Sequence, residues 1–186
     1  MEALKALHTR VSSPRLTGEV TETQLHNIFR AALRAPDHAL LRPWRFLLIQ
    51  DESREKLGEV FVRAALKKAP DLTPAELARI RAKPLRAPLI IAAIARVTEH
   101  PSVPEIEQLI SCGAAVQNMM LAAYAQGVGA MWRTGVMAYD RMVQEDLGLE
   151  DNEQIIGYLY LGQIPGKSRV FRELDIDEFF QVWTGD

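Results

Sequence analysis

The stretch Pro88-Leu89-Ile90-Ile91-Ala92-Ala93-Ile94-Ala95, which Arg96 closes, decides the fold. The run is apolar at every position, which is typical of a β-strand buried on both of its faces. Such a strand lies inside a sheet, so we expect helices as its neighbours.

The longest helical pattern follows, from about residue 104 to residue 126, with Gly127 as its left-handed stop. Its apolar residues recur at helical spacing, and we expect this helix to be the core helix of the fold. The residues predicted to face inward are Leu109, Ile110, Val116, Met119, Met120 and Ala123.

The remaining pattern alternates irregularly between helices and strands. Further strands are predicted at residues 45–49, 128–133 and 155–161. A short first helix is predicted around Leu4 and Leu7, before the break at Ser12-Ser13-Pro14. Further helices are predicted from the capping box at Thr21 to about residue 34, and over 51–68, 73–81 and 140–147. This irregular order, without a repeat, favours an α+β fold over a doubly wound array and fits one domain over residues 1–186.

The composition restricts the class of protein. The apolar fraction of 48% and the mean hydropathy of −0.07 are those of an ordinary globular chain. No apolar run approaches the roughly 20 residues that cross a bilayer, and the start at Met1 has no signal-peptide pattern, so we predict a cytoplasmic protein without a membrane partner. The net charge of −2 disfavours a nucleic-acid binder.

Several common catalytic motifs are missing from the sequence. Gly127-Val128-Gly129 follows a helix and opens a strand, which is the reverse of the order in a dinucleotide fingerprint. Cys112 has no second cysteine for a disulfide or a thiolate site. The histidines are scattered, and we expect no metal site from them: His8, His26, His38 and His100.

Two short basic clusters could hold a phosphate. Arg10-Val11-Ser12 lies at the close of the first helix, and Gly166-Lys167-Ser168-Arg169 lies just after the last strand. Both combine cations with a hydroxyl, which together satisfy the oxygens of a phosphate. The alternative is a solvated surface, because basic residues near serine are common on loops.

An ordered series of segments carries a resemblance to a known family. The segments are Arg10-Val11-Ser12, Arg34-Ala35-Pro36-Asp37-His38, Arg42-Pro43-Trp44-Arg45-Phe46, Arg86-Ala87-Pro88-Leu89-Ile90-Ile91, Ala125-Gln126-Gly127-Val128-Gly129 and Trp132-Arg133-Thr134-Gly135. From about residue 3 to about residue 163 the chain resembles the nitroreductase family, and within it the short bacterial subgroup of NAD(P)H nitroreductases.

The resemblance implies an α+β fold with a central, mostly antiparallel sheet flanked by helices. It also implies a homodimer with one FMN at each end of the interface. Arg10 and Ser12 would hold the FMN phosphate and ribityl chain, and Arg34 and His38 would reach the flavin from the partner subunit. The other implied FMN ligands are Trp132, Arg133 and Thr134 at the isoalloxazine and Lys167 and Arg169 at the phosphate.

The resemblance also places NAD(P) contact on Ala122, Ala123, Tyr124, Ala125, Gln126 and Gly127. The helical pattern instead makes this segment the end of the core helix. His38 could equally be an ordinary loop histidine, and Trp132 and Trp44 could be core aromatics.

The chain departs from the family pattern at three places. Val11 and Pro14 stand where the family often has basic residues near the flavin pyrimidine, and Arg15 is the candidate substitute. Without a substitute, the reduced flavin would lack a nearby cation, which would lower its reduction potential. Arg42 replaces a glutamine that commonly precedes Pro-Trp, at a position that could alter substrate access.

The function implied is that of an FMN-dependent NAD(P)H oxidoreductase. NAD(P)H would give a hydride to flavin N5 and leave before a small electron acceptor, such as a nitroaromatic or a quinone, takes its place. Since the flavin performs the chemistry, no catalytic side chain is expected. The alternative is a flavin-binding protein of the same fold with little or no turnover.

Overall fold

The computed structural model describes residues 1–166 and 173–185, and its centre is an antiparallel sheet. The strands are β1 (Trp44–Gln50), β2 (Leu89–Arg96), β3 (Gly129–Arg133) and β4 (Glu153–Gly162), in the spatial order β1-β2-β4-β3. Each neighbouring pair runs antiparallel, so the predicted α+β sheet is confirmed.

Strand β2 lies inside the sheet, between β1 and β4, as its apolar run predicts. All of its residues except Arg96 are buried. Because side chains alternate across a strand, Ile91 and Ala93 enter the core on one face of the sheet, while Ile90 and Ile94 enter it on the other. A polar residue inside β2 would therefore meet an apolar layer on either face.

Helices cover the two faces of the sheet. They are α1 (Ala3–Thr9), α2 (Glu22–Ala32), α3 (Glu52–Lys68), α4 (Pro74–Arg81), α5 (Glu105–Ala125), α6 (Val136–Tyr139) and α7 (Arg141–Asp146). Capping boxes at Thr21 and Thr73 open α2 and α4, as predicted. Helix α6 was not predicted, because a single turn is too short to show a helical period.

Each face of the sheet has its own apolar core. Helices α2 and α5 pack on one face, with Ile28 and Met119 among the buried residues that meet Leu159 of β4. Helices α3, α6 and α7 pack on the other face, where the ring of Phe61 meets Tyr158 edge to face at 5.7 Å between centroids. The sheet therefore separates two layers of side chains.

The prediction for the inward face of α5 is wrong at its beginning. Ile110 is 63% exposed and Leu109 is half-buried, whereas Gln108 faces inward. The Gln108 amide can be buried because it donates to the carbonyl of Thr98 at 2.8 Å and accepts from the Thr98 N–H at 2.9 Å. Further along the helix, the predicted inward residues are buried: Val116, Met119, Met120 and Ala123.

Several large apolar side chains lie on the surface of the chain. They belong to α1, to the start of α5 and to the C-terminal segment: Leu4, Leu7, Ile106, Ile110, Phe179, Phe180, Val182 and Trp183. Among the helices of the described ranges, none combines the length and the apolar character needed to cross a membrane.

Candidate functional site

The segment after α1 lies along the edge strand of the sheet. Its Ser13 N–H donates to the carbonyl of Ala130 in β3 at 3.0 Å, and Thr17 forms an antiparallel bridge with Gln163. Arg10 caps the end of α1, and its Nη1 lies 3.3 Å from Ser12 Oγ. The first basic cluster is therefore held beside the strand that carries the predicted flavin-lining residues.

Arg133 joins this segment to the end of β3. Its Nη2 donates to the carbonyl of Pro14 at 2.9 Å, and its guanidinium carbon lies 5.4 Å from the centroid of the Tyr160 ring. The Nε–H of Arg133 is buried and has no hydrogen-bond partner among the described residues. A buried donor without a partner is costly, so this guanidinium is poised for an additional acceptor.

Two cavities meet at this arginine. The first, of about 360 Å³, is lined by Phe61, Lys83, Arg86, Met131, Trp132, Arg133, Thr134, Gly135, Val136, Met137, Tyr158 and Tyr160. The second, of about 420 Å³, is lined by Ser13, Pro14, Arg15, Arg86, Arg133, Ile164 and Pro165. Arg86 and Arg133 border both, so the two cavities are adjacent at the end of β3, and together they present an aromatic wall and several cations.

Among the described residues, the positive charge of the site is not compensated by a carboxylate. In residues 1–166 and 173–185, Arg15, Lys83, Arg86 and Arg133 form no ion pair with a carboxylate. Burial lowers the pKa of Lys83, and repulsion from Arg86 lowers it further. The same two causes lower the pKa of Arg133. The site is thus suited to a ligand with negative charge, which would relieve this repulsion.

Lys83 and Arg86 were missed as site residues by the sequence reasoning. They stand in Lys83-Pro84-Leu85-Arg86, directly before the apolar strand β2, and a 3₁₀ turn over Pro84–Arg86 directs the chain into that strand. The carbonyl of Arg86 accepts from the Leu16 N–H at 2.8 Å, which ties this turn to the segment after α1. The sequence feature that could have identified them is the pair of cations directly before a strand predicted to be buried.

Trp132 borders the first cavity, but its indole packs on the other face of the sheet, against the α2–α5 core. Its Nε1 donates to the carbonyl of Ile156 at 3.3 Å. A Cβ atom at residue 157 would lie 2.1 Å from that nitrogen, so Gly157 provides the space for the indole. Arg133 and Thr134, which follow Trp132, line the first cavity.

Arg34 and His38 lie away from the two cavities of their own chain. Arg34 borders a groove of about 470 Å³ between α1, α2 and α5, on the opposite face of the sheet from the aromatic wall. His38 is exposed, with its Nδ1 2.7 Å from Glu107 Oε2. One subunit therefore does not bring these residues to Arg133, and their assignment as flavin ligands requires a second subunit.

The segment from Ala122 to Gly127 ends α5, as the helical pattern predicts. Ala123 is fully buried, and the hydroxyl groups of Tyr124 and Thr9 lie 3.1 Å apart. The Gln126 amide donates to the carbonyl of Ala122 at 2.9 Å and accepts from Asn27 at 2.8 Å. These contacts pack α5 against α1 and α2, and the NAD(P) assignment of this segment stays a prediction.

The second basic cluster cannot be placed, because Lys167 and Arg169 lie outside the described residues. Over the described ranges, no group of histidine, cysteine, aspartate and glutamate side chains is arranged to hold a metal ion.

Comparison with known proteins places this geometry among nitroreductases. A model of the Nitroreductase family matches residues 16–163. The Escherichia coli (strain K12) protein named "Putative NAD(P)H nitroreductase YdjA" is 41% identical over 163 residues, which cover 87% of this chain and 88% of that protein.

Solved structures share the fold. A nitroreductase-like protein from Bacillus cereus superposes with a TM-score of 0.83 at 24% identity, covering 100% of this chain and 97% of that one. A nitroreductase from Desulfovibrio desulfuricans in complex with FMN has a TM-score of 0.75 at 24% identity, with 98% and 97% of the two chains covered.

Proposed function

The chain belongs to the nitroreductase family, and from this premise we propose that it is an FMN-dependent NAD(P)H oxidoreductase that reduces a small electron acceptor. The observation that carries the proposal is the pair of adjacent cavities at Arg86 and Arg133, whose cations form no ion pair within the described residues and lie beside an aromatic wall. A nitroaromatic or a quinone is the acceptor class that we propose.

The residues of the two cavities fit FMN. Arg10 and Ser12 line neither cavity but directly precede Ser13 of the second one, and they would hold the phosphate. Lys167 and Arg169 are predicted to complete that site. Lys83, Arg86 and Arg133 would lie beside the flavin ring, and the unpartnered Nε–H of Arg133 would gain an acceptor. When bound, FMN supplies the redox chemistry, taking a hydride from NAD(P)H and passing electrons to the acceptor in a ping-pong cycle.

The protein's own side chains would bind and orient the flavin and exclude water from it. Phe61, Tyr158 and Met137 give the first cavity an apolar wall, in which the charges of Lys83 and Arg86 act more strongly than they would in water. The cations would stabilise negative charge that develops on the bound ring. We assign no side chain as a general acid or base.

We also propose that the protein is a homodimer with the flavin shared across the interface. The support is the exposed apolar surface on α1, on the start of α5 and on the C-terminal segment, where Trp183 is 87% exposed. Arg34 and His38 would reach the flavin of the partner. The cytoplasmic location stays a prediction from the sequence.

The purified protein tests the cofactor assignment directly. We expect a yellow protein that releases non-covalent FMN on denaturation, identified by absorbance and chromatography, and that oxidises NADH or NADPH when a nitroaromatic or a quinone is present. A preparation that stays colourless with excess FMN and shows no thermal shift would contradict the proposal.

The second candidate is a flavin-binding protein with little or no turnover. Pro14 lines the second cavity without contributing a charge, at a position where the family often has a cation. Steady-state oxidation of both nicotinamides with several acceptors separates the candidates. A yellow protein that stays inactive in every combination would favour this second function.

A further inference from the structure

A third cavity continues the cationic site away from the aromatic wall. It is a groove of about 460 Å³ lined by Arg15, Leu16, Thr17, Arg79, Ala82, Leu85 and Arg86. It shares Arg15 with the second cavity and Arg86 with both cavities already described. Three guanidinium groups and the threonine residue thus border a space that adjoins the proposed flavin site.

The backbone fixes the elements that carry these arginines. Leu16 donates its N–H to the Arg86 carbonyl at 2.8 Å, and Thr17 exchanges backbone hydrogen bonds of 2.9 and 2.6 Å with Gln163. Arg79 lies in the last turn of α4, a helix opened by the Thr73 capping box. The groove is therefore held by secondary structure on both sides.

The three guanidinium groups have no carboxylate partner within residues 1–166 and 173–185. In the part of the chain that the structure describes, Arg15, Arg79 and Arg86 take part in no ion pair. The charge of Arg79 contributes to the lowered pKa of Glu76, but hydrogen bonds from Thr73 are the larger causes. A phosphate would supply the missing negative charge, because guanidinium forks match its oxygens.

The phosphate of FMN already has its own candidate ligands around Arg10 and Ser12. Nitroaromatics and quinones need not carry a phosphate, whereas every nicotinamide dinucleotide contains a pyrophosphate. The groove, of about 460 Å³, lies within the size range of small-molecule sites and has room for a pyrophosphate. Its position beside the flavin cavities suits the reductant.

We propose that the groove of Arg15, Arg79 and Arg86 binds the pyrophosphate of the nicotinamide nucleotide that reduces the flavin. This inference rests on the proposed function, because it names where that reaction's reductant is held. It differs from the assignment of nucleotide contact to residues 122–127, whose side chains pack α5 against its neighbouring helices.

Calorimetric titration with ADP-ribose tests the inference without turnover, because this probe carries the pyrophosphate but no nicotinamide. In the FMN-loaded protein we expect Arg79→Gln to weaken ADP-ribose binding by about tenfold, since it removes a charge-assisted contact. Arg30→Gln, at an exposed arginine of α2, is the matched control and should leave the dissociation constant unchanged. FMN affinity should stay the same in both variants.

Three results would overturn the inference. Arg79→Gln and Arg86→Gln could both bind ADP-ribose as tightly as the parent protein. Gln126→Ala could weaken binding while Arg79→Gln does not, which would favour the end of α5. FMN could compete with ADP-ribose, which would make the groove part of the flavin phosphate site.

The same titration on FMN-free protein separates this inference from the proposed function. If the protein fails to bind FMN, the proposed function fails, whereas an Arg79-dependent affinity for ADP-ribose would still support a pyrophosphate site. If FMN binds and NADH is oxidised, but neither Arg79→Gln nor Arg86→Gln weakens ADP-ribose binding, only the inference fails.

Discussion

Arg86 occupies the position where the three cavities of the cationic site meet. The family pattern often has cations at positions 11 and 14, where this chain has valine and proline. Arg86 and Lys83 enter the same site from the turn before β2, so positive charge is retained although it comes from another part of the chain. Arg15 is the remaining candidate, and it borders the second cavity and the groove.

Single substitutions distinguish these cations. We expect Arg10→Ala to lower FMN affinity by about 1.5–3 kcal/mol, or roughly one to two decades, because it removes a charge-assisted contact to phosphate. Arg15→Ala should have a smaller effect on FMN. Fluorescence titration of the FMN-free protein measures both constants. Equal losses of FMN affinity in the two variants would mean that Arg15 has taken the role of a cation that the family often has at position 11 or 14. An unchanged affinity in Arg10→Ala would contradict the assignment of Arg10 to the FMN phosphate.

At the scale of secondary-structure elements, a buried carboxylate ties the strands β1, β2 and β4 together. Glu153 of β4 receives hydrogen bonds of 2.6 Å from Nε and Nη2 of Arg45 in β1, and one of 3.0 Å from Arg96 of β2. Its side chain is fully buried. The hydrogen bonds from Arg45 are the main cause that lowers the pKa of Glu153 to about 2.

This pKa predicts a loss of stability in acid. A carboxylate with a lowered pKa in the folded state stabilises the fold fully above its unfolded pKa, and the contribution is lost as the pH falls from about 4.5 towards 2. The contribution is about 3 kcal/mol near neutral pH. Urea unfolding at several pH values should show this slope in the parent protein and a weaker one in Glu153→Gln.

The exposed Glu99 provides the control for that experiment, because Glu99→Gln should keep the parent slope. An identical pH dependence in Glu153→Gln and the parent protein would show that other carboxylates govern acid unfolding. The substitution should also destabilise the fold at neutral pH, because Arg45 would lose its buried partner.

The elements were more predictable from the sequence than the site. The buried strand at residues 88–95 could be predicted because an unbroken apolar run is a local property of the sequence. The starts of α2 and α4 could be predicted for a similar reason, because a capping box is a local residue pattern. The inward place of Gln108 was missed because its burial depends on backbone groups of Thr98. The resemblance placed Arg133 and Arg15 near the flavin, whereas the addition of Lys83 to the same site follows from the tertiary fold alone.

At the scale of the whole molecule, Arg34 and His38 lie apart from the cavities of their own chain, and this separation bears on whether the flavin is shared between subunits. If both residues contact flavin, they do so in a partner subunit, and flavin binding must then be linked to dimerisation. The exposed apolar side chains of α1, α5 and the C-terminal segment offer surface for such an interface. Saturating FMN should therefore stabilise the dimer.

A ligand that binds only the dimer stabilises it by about 2.7 kcal/mol per site at a hundredfold excess over its dissociation constant. We thus expect FMN to raise the melting temperature and to slow subunit exchange, and Arg34→Ala to reduce both effects. Differential scanning fluorimetry and exchange between labelled subunits measure them. A monomer in sedimentation experiments with FMN bound would contradict the shared site.

Mixing Arg10→Ala subunits with Arg34→Ala subunits gives the sharpest test of the shared site. In a mixed dimer, one site combines the intact Arg10 of one subunit with the intact Arg34 of the other, while the second site lacks both arginines. We expect the mixed dimer to bind one FMN with the parent affinity, measured by titration after the subunits are dissociated and reassembled. If the two arginines instead served a site within one chain, every site in the mixture would carry one defect, and mixing would restore nothing. Random reassembly makes about half of the dimers mixed, so parent-like affinity at about a quarter of all sites requires that the flavin be held by both subunits.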